Sequence, residues 1–125
     1  MTSKPPAKLV VDANPVISAL LGGVALRAFL ELAVAEFAIS EFTRNEVARY
    51  LPRLSTKVSA PGEILQLALA LLPLTTYTED SYAARLPEAR KRIAKRDPND
   101  VDLLALALTL NYPVWSNDRD FDPAA

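Results

Sequence analysis

The sequence predicts an α/β fold, a three-layer α/β/α domain around a short parallel sheet of about four strands. Three observations predict it. Short runs of strand-forming residues alternate with longer stretches of helical periodicity along the whole chain. The first of those runs, KLVV at 8–11, ends abruptly on Asp12. Half of the 125 residues are hydrophobic, enough to bury a core in one domain spanning 1–125.

Each element follows from local chemistry. Residues 1–7 hold two prolines and no apolar run, so they are expected to be a flexible tail. KLVV reads as a short buried strand. Pro15 suits the first turn of a helix capped by Asn14 and running to about Leu21, where Gly22 and Gly23 stop it. A second helix carries Leu26, Phe29, Leu30 and Ala33 at helical spacing. EFAIS at 36–40 is the second strand. Ser40 caps the helix EFTRNEVARYL, which is expected to end near Pro52. APGEILQLALALL is helical, LTTY is the third strand, and residues 79–96 are helical with a break or bend near Pro87. Asp97 can then cap a helix with Pro98 in its first position and Asp100 in its first turn. DLLALALTL forms its apolar body, and Asn111 suits a left-handed C-cap. PVWS is the last strand, with Trp115 as core. Strands alternating with helices give a parallel sheet covered on both faces with right-handed crossovers.

Composition excludes much chemistry. With no Cys there is no disulfide, thiolate zinc site or cysteine nucleophile. With no His there is no Ser-His-Asp scheme and no imidazole base. Catalysis must run on carboxylates, hydroxyls, amines or a hard metal ion. The net charge of −1 carries no global positive field. No segment reaches the roughly 18 apolar residues of a membrane span, so the chain is expected to be cytoplasmic with no membrane partner. Charge is nevertheless uneven. Six of the eight aspartates fall between Asp97 and Asp122, and five basic residues crowd Arg90–Arg96.

In a parallel α/β sheet every strand ends, and every following helix begins, at one edge, where ligands bind. Asp12 ends the first strand, Asp118 follows the last, and Asp100 opens the apolar helix beside the stripe Leu103, Leu104 and Ala107. Glu46 lies about 9 Å into its helix, within side-chain reach of that edge. Four carboxylates from four segments are therefore expected to converge. Such a cluster repels itself unless a cation neutralises it. Oxygen ligands without His or Cys favour Mg²⁺ or Mn²⁺, and the matching chemistry is metal-assisted phosphodiester hydrolysis.

Most of these residues also have a plainer reading. Asp12 suits a turn, and Asp100 complements a helix dipole. Glu46 can be a solvated helix acid or a partner of Arg49 or Tyr50. Asp97 reads as a cap rather than a ligand, and Asp102 and Asp122 as solvated. Asp120, two residues from Asp118, could share its metal. Asn14 is a helix cap or an amide beside the metal. Ser18 could hydrogen-bond Asp12 or only pack, and Ser116 could orient Asp118. Arg119 could contact a substrate phosphate. The ARKRIAKR run reads as a solvated face, or as a phosphate-binding ridge.

Taken in order, VVDANPVISALL, the glutamate of ISEFTRNEVARYL, and RDPNDVDLLALALTLNYPVWSNDRDF resemble the PIN-domain nucleases. That group includes the VapC-like toxins of toxin–antitoxin pairs, and the resemblance covers Lys8 to Phe121, nearer a PIN-like branch than the best-known toxins. It implies a Mg²⁺/Mn²⁺-dependent ribonuclease with RNA as substrate, often a homodimer and often silenced by a small antitoxin protein. The family's metal-binding acids match Asp12, Glu46, Asp100 and Asp118, with Asp120 as a less regular fifth.

Two other α/β classes fit poorly. A phosphoacceptor receiver domain needs paired acids at the first strand and a lysine near the last, and PVWSNDRD has none. A haloacid-dehalogenase-type phosphatase needs Asp-x-Asp, and Asn14 fills the second place. The remaining alternative is a catalytically quiet PIN-like scaffold that binds protein or RNA.

Overall fold

The computed structural model describes residues 8–31, 36–93 and 98–116. The expected tail 1–7, Ala33, Asp97, Asp118, Arg119 and Asp120 lie outside them. Four strands form one parallel sheet: β1 (Lys8–Val11), β2 (Glu36–Ser40), β3 (Leu74–Tyr77) and β4 (Val114–Trp115), in the order β3-β2-β1-β4. The helices are α1 (Ala13–Leu20), α2 (Val24–Glu31), α3 (Glu41–Val58), α4 (Gly62–Leu71), α5 (Glu79–Tyr82), α6 (Leu86–Ile93) and α7 (Val101–Leu110). No single described helix is long and apolar enough to cross a membrane.

Side chains alternate across the pleat, so each strand feeds two cores. Val11, Phe37 and Ile39 point to the face covered by α1 to α4, where they meet Val16, Phe29, Val47, Leu51, Leu54 and Leu65. Trp115 joins that core as expected, its ring centroid 4.8 Å from Phe29 and 5.9 Å from Phe37. Val10 and Ala38 point to the other face, against Tyr82, Ala89, Leu103 and Leu106 of the later helices. These two covers make the three layers.

Several boundaries differ from expectation for identifiable reasons. Asp12, not Asn14, caps α1: its carboxylate accepts from the Ala13 N–H, and Asn14 sits exposed inside the first turn. Gly22 does end this hairpin of helices, at φ +77. Ser40 caps α3 as expected, accepting from the Thr43 N–H at 3.0 Å. Pro52 does not end α3, which continues to Val58. The missing N–H costs one helical bond, but Leu51 and Leu54 are buried on either side of Pro52, so core packing carries the helix across it. The break before α6 falls at the 3₁₀ turn Ala83–Arg85, and Pro87 then fits the first turn of α6. Pro98 opens another 3₁₀ turn, Pro98–Asp100, so α7 begins at Val101 and Asp100 is its N-cap residue rather than a first-turn acid. Asn111 closes α7 at φ 58, as expected. Leu30, read as part of the helical stripe, is exposed.

Two phenols, Tyr77 half-buried and Tyr82 buried, predict how the fold responds to base. Tyr77 donates to the Glu36 carboxylate at 2.9 Å, and burial together with that carboxylate pushes its pKa up to about 12. Tyr82 is raised further, by burial first and by Asp102 second. The unfolded chain loses these protons near pH 10; the folded chain keeps them. Stability is therefore level below about pH 10 and falls as pH climbs through 12. Thermal unfolding over that range checks this, and the Tyr77→Phe, Tyr82→Phe double variant is expected to show the shallower fall.

Candidate active site

In the strand order β3-β2-β1-β4, the chain leaves β1 in one direction to build β2 and β3, and returns on the other side as β4. The order therefore reverses between β1 and β4. At such a reversal the loops leaving neighbouring strands diverge to opposite faces and open a crevice at the carboxyl edge. Asp12 follows β1 at this point, and Ser116 follows β4.

The two are joined across the crevice. The Asp12 N–H donates to the Trp115 carbonyl at 3.0 Å, which extends the β1–β4 ladder to its last rung. The Asp12 carboxylate then takes a donor on each oxygen: the Ala13 N–H on Oδ1 at 2.7 Å and the Ser116 hydroxyl on Oδ2 at 2.9 Å. Two donors fix the plane of a half-buried carboxylate, while each oxygen keeps a lone pair for a further partner. Ser116 thus orients Asp12 across 104 residues of sequence; its expected partner Asp118 lies outside the described residues. Ser18 does not reach Asp12. Its hydroxyl lies over Gly23, where any Cβ would approach it to 2.9 Å.

The other acids arrive by different routes. Glu46 is half-buried, one and a half turns into α3, and lines an open cavity of about 260 Å³ with Arg49, Tyr50 and Arg53. Asp100 is half-buried at the start of α7, on the same edge of the sheet. Among the described residues, no three acidic side chains group closely enough to hold a metal ion. Asp118, Asp120 and Arg119 fall outside those residues.

One acid was undervalued by sequence. Asp102, read as solvated, accepts the hydroxyl of the buried Tyr82 at 2.6 Å. The pair borders a cavity of about 190 Å³ with Glu41, Phe42, Asn45 and Glu79, one strand over from Asp12 on the same edge. The signal for it was positional: Asp102 sits in the first turn of α7 beside the deeply apolar Leu103.

Compared with proteins of curated function, the sequence matches none. Several solved structures match the fold, two VapC-containing ones among them. VapC20 of Mycobacterium tuberculosis, a sarcin-ricin loop cleaving toxin, aligns at TM-score 0.64 and 15% identity over 94% of this chain and 95% of that one. VapBC2 of Rickettsia felis, bound to a DNA fragment from their promoter, aligns at TM-score 0.64 and 18% identity over 92% of this chain and 91% of that one. At such identities the likeness is one of fold. Sequence supplies the rest: the PIN-domain pattern matches residues 10–123, from within the strand that delivers Asp12 to beyond the last described strand. This chain belongs to the PIN-domain family.

Proposed function

We propose that this PIN domain is a Mg²⁺- or Mn²⁺-dependent endoribonuclease and the toxin of a toxin–antitoxin pair. The observation that carries this reading is Asp12, held by two donors at the reversal point of a parallel sheet with a hydrogen-bonding lone pair left on each oxygen. Fold likeness to a cleaving toxin and to a promoter-bound VapBC2 supports it.

The donor set fits a hard divalent cation. The candidate ligands are carboxylate oxygens, and the chain has no thiolate or imidazole to prefer zinc or copper. Asp12, Glu46, Asp100 and Asp118 would hold the ion, with Asp120 as a further ligand. Bound there, it would supply water activation and charge neutralisation at the scissile phosphate. The chain's own residues do the positioning. The Ala13 N–H and the Ser116 hydroxyl keep the Asp12 carboxylate in one orientation, so no side-chain freedom is lost when a cation or a phosphate arrives. Asn14, exposed in the first turn of α1, and Arg119 are the candidates to meet substrate. The partners on this reading are RNA, an antitoxin protein and a second copy of the chain, in the cytoplasm.

The alternative reading is a quiet scaffold that binds RNA or protein at the same edge without cleaving it. Purified chain incubated with single-stranded RNA and Mn²⁺, with and without chelator, separates the two. The nuclease reading expects cleavage that chelation abolishes and Mn²⁺ restores. Intact RNA at every metal concentration would leave the scaffold.

A further inference from the structure

We propose that the outer face of α3 binds the single-stranded flank of the RNA, leading it away from Glu46 along Arg49, Tyr50, Arg53 and Lys57. The inference rests on RNA being the substrate of the sheet edge. At 100° per residue these five positions fall within an arc of roughly 100°, beside the buried face that carries Thr43, Val47, Leu51 and Leu54. Four of them, Glu46, Arg49, Tyr50 and Arg53, line a single open cavity of about 260 Å³. A candidate metal ligand and two arginines therefore share a continuous surface.

The two arginines of this face have no ion pair with a described residue. Among the described residues, ion pairs occur only on α2, between Arg27 and Glu31, and from the Ala83–Arg85 turn into α6, where Arg85 and Arg92 both pair with Glu88. Arg49 and Arg53 are exposed and take part in none. They stand four residues apart, about 6 Å along the helix, and guanidinium groups so presented match the planar geometry of phosphate oxygens. Between them lies Tyr50. Lys57 donates to its hydroxyl at 2.9 Å and sits 5.5 Å from its ring centroid, which steadies the phenol against the helix. An aromatic face between two phosphate-binding cations is the arrangement that holds an unpaired base without reading its identity. A duplex cannot offer such a base, so the ligand is a single strand. The α6 run Arg90–Arg92 is the weaker phosphate ridge, because Glu88 already neutralises part of it.

The test is fluorescence anisotropy of a labelled single-stranded RNA oligonucleotide, in chelator so that no cleavage intervenes, across a salt series. The Arg49→Ala, Arg53→Ala double variant is expected to weaken binding about tenfold or more and to lower the slope of log affinity against log salt by roughly 1.4, two phosphates' worth. Tyr50→Ala is expected to weaken binding about 5- to 100-fold with the slope unchanged, and Tyr50→Phe to restore it. An Arg90→Ala, Arg92→Ala double variant removes equal charge elsewhere and is expected to have the smaller effect on both quantities. Melting temperatures confirm that each variant folds. Equal losses from the α3 and α6 pairs, or no measurable binding by the unsubstituted chain, would overturn the proposal. The outcome is independent of catalysis: α3-dependent binding without Mn²⁺-dependent cleavage sinks the nuclease reading alone, and cleavage with α3-independent binding sinks this one alone.

Discussion

Asp12→Asn is expected to reduce Mn²⁺-dependent RNA cleavage by at least ~100-fold while leaving the fold intact. The size follows from what a carboxylate contributes to a bound divalent ion. Lewis-acid stabilisation of a phosphoryl transition state is worth several kcal/mol, and each 1.36 kcal/mol is a factor of ten in rate. The fold survives because the substitution keeps both hydrogen bonds. The Asn carbonyl can still accept from the Ala13 N–H, and its amide can donate to the Ser116 hydroxyl, which reverses the direction of that bond without breaking it. Asn also caps a helix about as well as Asp. Without metal, the variant is expected to melt no lower than the parent, and higher if the neighbouring acids repel Asp12. Asp12→Ala provides the contrast, losing the cap and about 1 kcal/mol of stability. A cleavage assay paired with thermal melts checks both halves. A clear fall in the melting temperature of Asp12→Asn would mark Asp12 as a structural turn residue.

Leu106→Ala is expected to cost about 2–5 kcal/mol, a large share of what a domain of this size possesses. Leu106 is fully buried in α7, within the core that meets Val10 and Ala38 on the second face of the sheet. The surrounding helices α5 and α6 are short and joined by a 3₁₀ turn, but Tyr82 and Ala89 are pinned against α7, so the vacated volume cannot collapse freely. The fall in melting temperature is expected to be on the order of 10 °C. The consequence reaches the site, because Asp100 is the N-cap residue of α7 and a loosened helix no longer fixes that acid. Cleavage measured well below the melting point should therefore fall more in Leu106→Ala than in a control such as Leu71→Ala, which removes an exposed side chain.

The elements were legible because local chemistry and tertiary packing agree over most of the chain. KLVV, EFAIS and LTTY became strands as read, Ser40 and Asn111 cap where their side chains and backbone preferences say they should, and Trp115 packs in the core. The misreadings share one cause, in which a distant contact overrides a local rule. Pro52 should stop a helix, yet burial of Leu51 and Leu54 continues it. Asn14 is a good cap in isolation, yet the helix begins at Ala13, so Asp12, held at the end of β1 beside β4, takes the cap position and Asn14 falls inside the first turn. Asp118, the neighbour of Ser116 in sequence, lies outside the described residues, but the bond from the Ser116 hydroxyl to Asp12 exists only because β1 and β4 are neighbours. Asp102 was dismissed as solvated because nothing local reveals that Tyr82 will be buried against it. For the site, the sequence indicated which edge of the sheet Asp12, Glu46 and Asp100 occupy. It did not indicate the reversal between β1 and β4, which depends on strand order and not on any local pattern.

The central claim is that acids from separate segments hold one divalent ion around Asp12. Titration calorimetry of Mn²⁺ into the RNA-free protein tests it most directly, with Asp12→Asn as the paired sample. The account predicts saturable binding by the parent chain and at least tenfold weaker binding by the variant. Equal affinity in the two proteins, or no binding to the parent, would contradict it.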